Sequence, residues 1–154
     1  KEIGEILRRS AKILGVNLDE TGTEEIAKRS RFTPRTANYL LKRCRDFAQI
    51  GKKKLDEKTV KEALSLLGVD ERGLILSDRN LIDVVINKFS GGPVGLGTLA
   101  AALSEEEATL EEFNEPYLIQ LGFIERTPRG RVATVKAYQH LNIKPPNKIQ
   151  DKLL

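Results

Sequence analysis

GGPVGLGTLAAALSEEEATLEEFNEPYLIQLGFIERTPRGR, running from Gly91 to Arg131, reads as two short helices followed by a hairpin whose tip carries three arginines. Gly91-Gly92-Pro93 is a turn, and its proline and missing lysine argue against a phosphate cradle. Leu96 to Leu103 has the composition of a short helix. Thr109-Leu-Glu-Glu112 has the spacing of a capping box and predicts the start of the second helix, the candidate recognition helix. Pro116 predicts either a kink or a helix that starts in earnest near Glu115. Phe123 to Arg126 and Arg131 to Val135 predict two strands around Thr-Pro-Arg-Gly, a tight turn with glycine where a positive φ is needed. A helix-turn-helix followed by a basic wing offers one helix to a DNA groove and a loop to the neighbouring phosphates, so the pattern points to nucleic acid.

Outward from this unit the chain is helical. Ile3, Ile6, Leu7, Ile13 and Leu14 mark one face of a first helix that Gly15 should stop. Thr21-Gly-Thr-Glu24 is a plausible capping box for a second helix. Thr33-Pro34 opens a third, because threonine caps while proline at the first helical position gives up an amide that has no partner there. That helix should turn Ala37, Leu40, Leu41, Cys44, Phe47 and Ala48 inward, with Arg35, Lys42, Arg43 and Arg45 around the remainder. A fourth spans roughly Glu57 to Leu67 and ends at Gly68. VDERGLILS, from Val69 to Ser77, breaks the pattern and supplies Ser77 as a cap before Leu81, Ile82, Val85, Ile86 and Phe89. A last helix carries Ala137, Tyr138 and Leu141. The expected fold is therefore mainly α: a four-helix bundle over 1–72, a winged-helix domain with a small β-hairpin wing over 73–142, and a tail over 143–154.

Composition bounds the rest. The 154 residues are 40% apolar and 31% charged, ordinary for a soluble globular chain. No apolar run approaches a membrane span and residues 1–16 lack the apolar core of a signal peptide, so no membrane partner and a cytoplasmic location are expected. One cysteine and one histidine cannot make a zinc site, and no metal ligand set is expected. Cys44 should be a buried small hydrophobe, and His140 a solvent-facing or capping residue. The net charge of +4 hides a segregation: residues 1–71 carry 16 Lys/Arg against 12 Asp/Glu, 72–125 carry 3 against 9, and 126–154 carry 7 against 1. Positive charge thus gathers on the wing and tail, where phosphate would meet it. Lys144, Lys148 and Lys152 among the tail prolines read instead as solvated.

Four segments in order, RSRFTPRTANYLLKRCRDFA at 29–48, GGPVGLGTLAAAL at 91–103, EPYLIQLGF at 115–123 and RTPRGRVAT at 126–134, resemble the RuvB family of bacterial Holliday junction branch migration ATPases. The likeness runs from Lys1 to about Leu141. It implies that 1–72 is an AAA+ lid and 73–142 a winged-helix head that holds double-stranded DNA. It also implies a partner that binds the junction, RuvA, and identical subunits in a hexameric ring. In that family a large ATPase domain precedes these two and binds most of the ATP and Mg2+. No Gly-x-x-x-x-Gly-Lys-[Ser/Thr] loop occurs in this chain, so an ATP-driven four-way junction helicase is expected only of a longer protein, with no catalytic residue here and no cofactor bound by this part alone.

The resemblance implies that Arg35, in the Thr-Pro-Arg motif, is the sensor-2 residue reaching nucleotide phosphates. A guanidinium at a helix N-terminus adds its charge to the positive end of the helix dipole. It likewise assigns DNA-backbone contacts to the wing arginines Arg126, Arg129 and Arg131, most firmly Arg126 and Arg131, with Arg129 at the tip. Backbone contacts position without reading sequence, which suits a motor. Two departures stand out. Phe32 replaces a usual glycine, and Glu107 replaces an arginine before the recognition helix, where a carboxylate would repel phosphate. The alternative from another class is a winged-helix transcription regulator with an N-terminal dimerisation domain. Such a protein needs base-reading side chains on its recognition helix, and LEEFNEPYLIQLGF supplies only Asn114 and Gln120. A protein-interaction module using the acidic 72–125 surface is the third reading.

Overall fold

The computed structural model describes residues 2–147. Its chain divides into two compact units between Leu76 and Ser77.

The first unit is a bundle of α1 (Glu2–Ile13), α2 (Glu20–Arg29), α3 (Pro34–Gly51) and α4 (Glu57–Leu66). Leu7, Ile26, Leu41, Val60 and Leu64 are fully buried at its centre, each contributing roughly 2 kcal/mol by removal from water. Ala37, Leu40, Leu41, Cys44 and Ala48 face inward as the helical period requires, while Phe47 packs against the cluster half-buried. On α1 the buried positions are Leu7 and Ala11, whereas Ile13 is 75% exposed; the helix ends there and the chain turns at Gly15 with φ 64°. Thr33 caps α3 with its hydroxyl accepting from the Thr36 amide at 3.2 Å, and Pro34 takes the first helical position. For α2 the cap is Asp19, accepting from the Gly22 amide at 2.7 Å. Thr21 lies inside that helix and donates to the same carboxylate. The capping-box expectation was therefore two residues late: an aspartate outranks a threonine as acceptor for free helical amides. Burial pushes the Cys44 thiol up to about 12, so it stays protonated and packs as an apolar residue.

The second unit holds α5 (Leu76–Asp83), continued by a π-helical turn (Val84–Lys88), then α6 (Leu96–Leu103) and a long composite helix. That helix is α7 (Glu107–Thr109), a second π-helical turn (Leu110–Asn114) and α8 (Glu115–Gln120). A hairpin of β1 (Ile124–Thr127) and β2 (Gly130–Ala133) and the closing α9 (Val135–His140) follow. Ser77 is not a cap but lies within α5, and Thr109 is likewise helical, the cap position belonging to Glu106. Of the two expectations at Pro116, the start near Glu115 is met: α8 begins at Glu115 and Pro116 lies in its first turn. The wide turn just before it alters the carbonyl ladder at the place where a proline ring would meet the preceding turn. Val135 belongs to α9 and not to the second strand. His140 stacks on Phe123 with ring centroids 5.0 Å apart. Lys144 is exposed; Lys148 and Lys152 lie outside the described residues.

Candidate nucleic-acid interface

β1 and β2 pair antiparallel with Arg126 opposite Arg131 and Thr127 opposite Gly130, leaving Pro128 and Arg129 as the tip. Gly130 has φ 132°, and a Cβ there would stand 2.5 Å from the Val94 carbonyl oxygen. That closeness reveals a feature the sequence did not announce. Val94 donates to the Arg131 carbonyl at 3.0 Å and accepts from the Arg131 amide at 2.8 Å, and Ala133 donates to the Gly91 carbonyl at 2.9 Å. The Gly91–Val94 turn is thus bonded along the free edge of β2 and stiffens the wing. Gly91 and Gly92, with φ 86° and 88°, permit this approach, since side chains would collide with the Tyr138 hydroxyl and the Arg131 carbonyl, both at 2.2 Å.

The three wing arginines have different surroundings. Arg129 stands exposed at the tip. Arg126 has a side chain 48% exposed and Arg131 one only 15% exposed. Both converge on Glu115, which is 2% exposed. Arg131 donates through Nε to Glu115 Oε1 at 2.5 Å and through Nη2 to Oε2 at 3.2 Å. Arg126 donates through Nε and Nη2 to Oε2 at 3.0 and 2.6 Å, and its Nη2 also reaches Glu111 Oε1 at 3.1 Å. Burial pushes the Glu115 carboxyl up, but the bonds from Arg131 and Arg126 outweigh it and hold the group below its ordinary value. Arg129 is at the tip, as its place in the hairpin predicts, with Arg126 and Arg131 paired beside it. The structure turns Arg131 inward and leaves Arg126 half outward. Glu115 is the residue the sequence reading missed; a glutamate just before a helical proline carries no local sign of a partner 11 or 16 residues away.

The composite helix is acidic on its open side, with Glu107, Glu111 and Glu112 exposed. Asn114, one of two base-reading candidates, is 1% exposed and donates to Asp78 Oδ1 at 2.7 Å and to Ser77 Oγ at 3.1 Å. It is committed to holding α5, leaving Gln120 as the exposed candidate.

In the bundle, Arg35 sits exposed in the first turn of the 18-residue α3, and no side chain among the described residues bonds it. Just before it, Arg31 and Phe32 both have positive φ, 55° and 57°, in a four-residue turn closed by the Thr33 amide donating to the Ser30 carbonyl at 3.2 Å. Phe32 therefore occupies a conformation that glycine adopts freely. Among the described residues no group of three His, Cys, Asp or Glu could hold a metal ion, and no helix is long and apolar enough to cross a membrane.

Residues 1–70 match the RuvB AAA lid domain and residues 71–142 the RuvB C-terminal winged helix domain. The two units are RuvB domains. The chain is 56% identical over 96% of its length to the RuvB subunit of the Holliday junction branch migration complex of Koribacter versatilis, covering 41% of that protein. It is 55% identical over 94% of its length to the Limosilactobacillus reuteri subunit of the same name, covering 43% of it. The solved Thermotoga maritima RuvB Holliday junction branch migration motor is 44% identical and superposes with a TM-score of 0.91 over 94% of this chain and 49% of that one. The chain thus spans about two fifths of the curated relatives it matches and half of the solved one. A transcription regulator finds no support in these likenesses.

Proposed function

We propose that this chain is the lid and head of a cytoplasmic, ATP-driven motor for Holliday junction branch migration in recombination and repair, whose head grips duplex DNA by its backbone. The observation that carries the reading is the wing: a stiffened hairpin with Arg129 free at its tip and Arg126 and Arg131 locked in fixed directions beside it. Phosphate contacts from such groups are indifferent to base sequence. The acidic composite helix, with Asn114 buried, is poorly suited to reading base edges. Arg126 and Arg131 meet the backbone through guanidinium hydrogens that Glu115 does not occupy, since each guanidinium has five donors in a fixed fork.

In the same reading Arg35 reaches the phosphates of ATP. An exposed guanidinium at the positive end of a long helix, without a bonded side chain among the described residues, fits a polyphosphate. Most of the ATP site and the Mg2+ belong to a large ATPase domain that this chain does not contain, so this part alone turns over no ATP. RuvA and further copies of the subunit in a hexameric ring are the partners of the whole protein.

The test is fluorescence anisotropy with duplexes of unrelated sequence, titrated between about 50 and 200 mM salt. Binding should be equal across sequences and weaken steeply with salt, and Arg129→Ala should weaken it uniformly and reduce the salt slope by about one. Tight binding to one sequence, or unchanged affinity for Arg129→Ala, would count against the wing as the backbone contact.

A further inference from the structure

We infer that Glu115 is a positioning residue for duplex binding: it aims Arg126 and Arg131 at the backbone and is kept, not displaced, when DNA arrives. The inference rests on the reading that the wing holds DNA.

Arg126 and Arg131 lie directly opposite each other in the hairpin, where two like charges repel. One carboxylate takes four hydrogen bonds from the pair, two from each guanidinium. It removes the repulsion and fixes both planes relative to the helix, because the bonds use Nε and Nη2 of each and so define each fork's direction. The helix is built to place it. The π-helical turn at Leu110–Asn114 ends at Glu115, whose amide bonds the Leu110 carbonyl, and both Glu111 and Glu115 then reach one nitrogen, Arg126 Nη2.

The two carboxylates differ in one respect that decides their roles. Glu111 is 49% exposed, so when phosphate takes its place it returns to water at little cost. Glu115 is 2% exposed. Displacing it would strand a buried charge, which costs far more than one phosphate contact returns. Phosphate therefore replaces Glu111 on Arg126 and meets the outer Nη groups of both arginines while Glu115 stays bonded.

This assignment gives opposite signs for two neutralising substitutions. If both glutamates merely compete with phosphate, Glu115→Gln and Glu111→Gln both tighten binding. If Glu115 positions, Glu115→Gln weakens binding about fivefold or more while Glu111→Gln tightens it about twofold. Anisotropy on one duplex at fixed salt reads both, with circular dichroism to show that each variant is folded and Arg129→Ala run in parallel. Equal or tighter binding by folded Glu115→Gln overturns the inference. An unaffected Arg129→Ala overturns instead the reading beneath it, that the wing is the contact. Should Glu115→Gln fail to fold, the unaltered chain decides: nitrogen-15 spectra followed to saturation with duplex should keep the Nε–H signals of Arg126 and Arg131 slow to exchange and little shifted. Loss of that protection on binding would mean that DNA displaces Glu115, and the inference falls.

Discussion

Glu115 and Arg131, at the start of α8 and in β2, meet through two hydrogen bonds of 2.5 and 3.2 Å although 16 residues separate them. The bond ties the wing to the helix, and both side chains are largely out of solvent. Removing one partner of such a pair leaves a buried charge short of a counterion. Arg131→Ala should therefore destabilise the winged-helix unit by about 2–3 kcal/mol, less than for an isolated pair because Arg126 still bonds the carboxylate. Arg129→Ala, on an exposed tip, should change stability by less than about 0.5 kcal/mol. Urea denaturation of the two variants separates these. Equal, small effects would show that the carboxylate finds compensation elsewhere.

The same carboxylate makes the unit acid-sensitive. Its folded-state value lies below the ordinary 4.5, so the unfolded chain takes up a proton first as pH falls. The stabilisation is full above the ordinary glutamate range and is lost as pH drops through the lowered folded value. Glu25 behaves alike in the bundle: burial pushes its carboxyl up, but a hydrogen bond from Lys28 and the nearby charges of Lys28, Arg29 and Lys61 outweigh it and hold it below 4.5. Melting temperature should thus fall steeply with pH below about 4.5, and Glu115→Gln should shallow that fall for the wing unit. A parallel curve for the variant would remove Glu115 as a source of the sensitivity.

Phe32 holds a left-handed backbone, φ 57°, and the residue is 55% exposed. A non-glycine residue there carries roughly 1–2 kcal/mol of strain, and both Phe32→Ala and Phe32→Gly forfeit the same ring contacts. Only glycine relieves the backbone, though its freer unfolded chain takes back about 0.5–1 kcal/mol. Phe32→Gly should accordingly be the more stable of the two by up to about 1 kcal/mol in urea denaturation. An alanine variant as stable as the glycine one would mean that the turn relaxes to another conformation.

Where a feature is written in adjacent residues, the sequence made it readable. Thr33-Pro34 supplied both cap and first helical position, Leu96 to Leu103 matched its helix end for end, and Gly130 took the positive φ that the hairpin turn required. The capping boxes at Thr21 and Thr109 failed because their spacing also occurs inside helices, and a nearby Asp19 or an early start after Glu106 won. At Pro116 the start of α8 near Glu115 was legible, whereas the wide turn upstream leaves no mark in residue type. The pairing of Glu115 with two arginines, and of Val94 with Arg131, depends on chain reversals that bring distant residues together. Composition counted the positive charge of the wing correctly but could not say which guanidiniums the protein uses on itself.

Arg35 lends itself to a test that separates signalling from stability. It projects from the first turn of α3 without a bonded side chain among the described residues, so Arg35→Ala removes a charge without breaking a hydrogen bond or ion pair among them. The neighbouring Thr33→Ala removes the cap, which costs about 1 kcal/mol, and leaves the guanidinium in place. In a longer protein that carries the ATPase domain, Arg35→Ala should lower ATP turnover about tenfold or more, as loss of a phosphate-directed donor does, with the melting of the lid unchanged. Thr33→Ala should do the reverse, lowering the melting temperature and sparing most of the turnover. If Arg35→Ala turns over ATP normally, the nucleotide is sensed elsewhere. If the two variants lose turnover in proportion to their stability, the helix start matters as a scaffold and Arg35 has no part of its own.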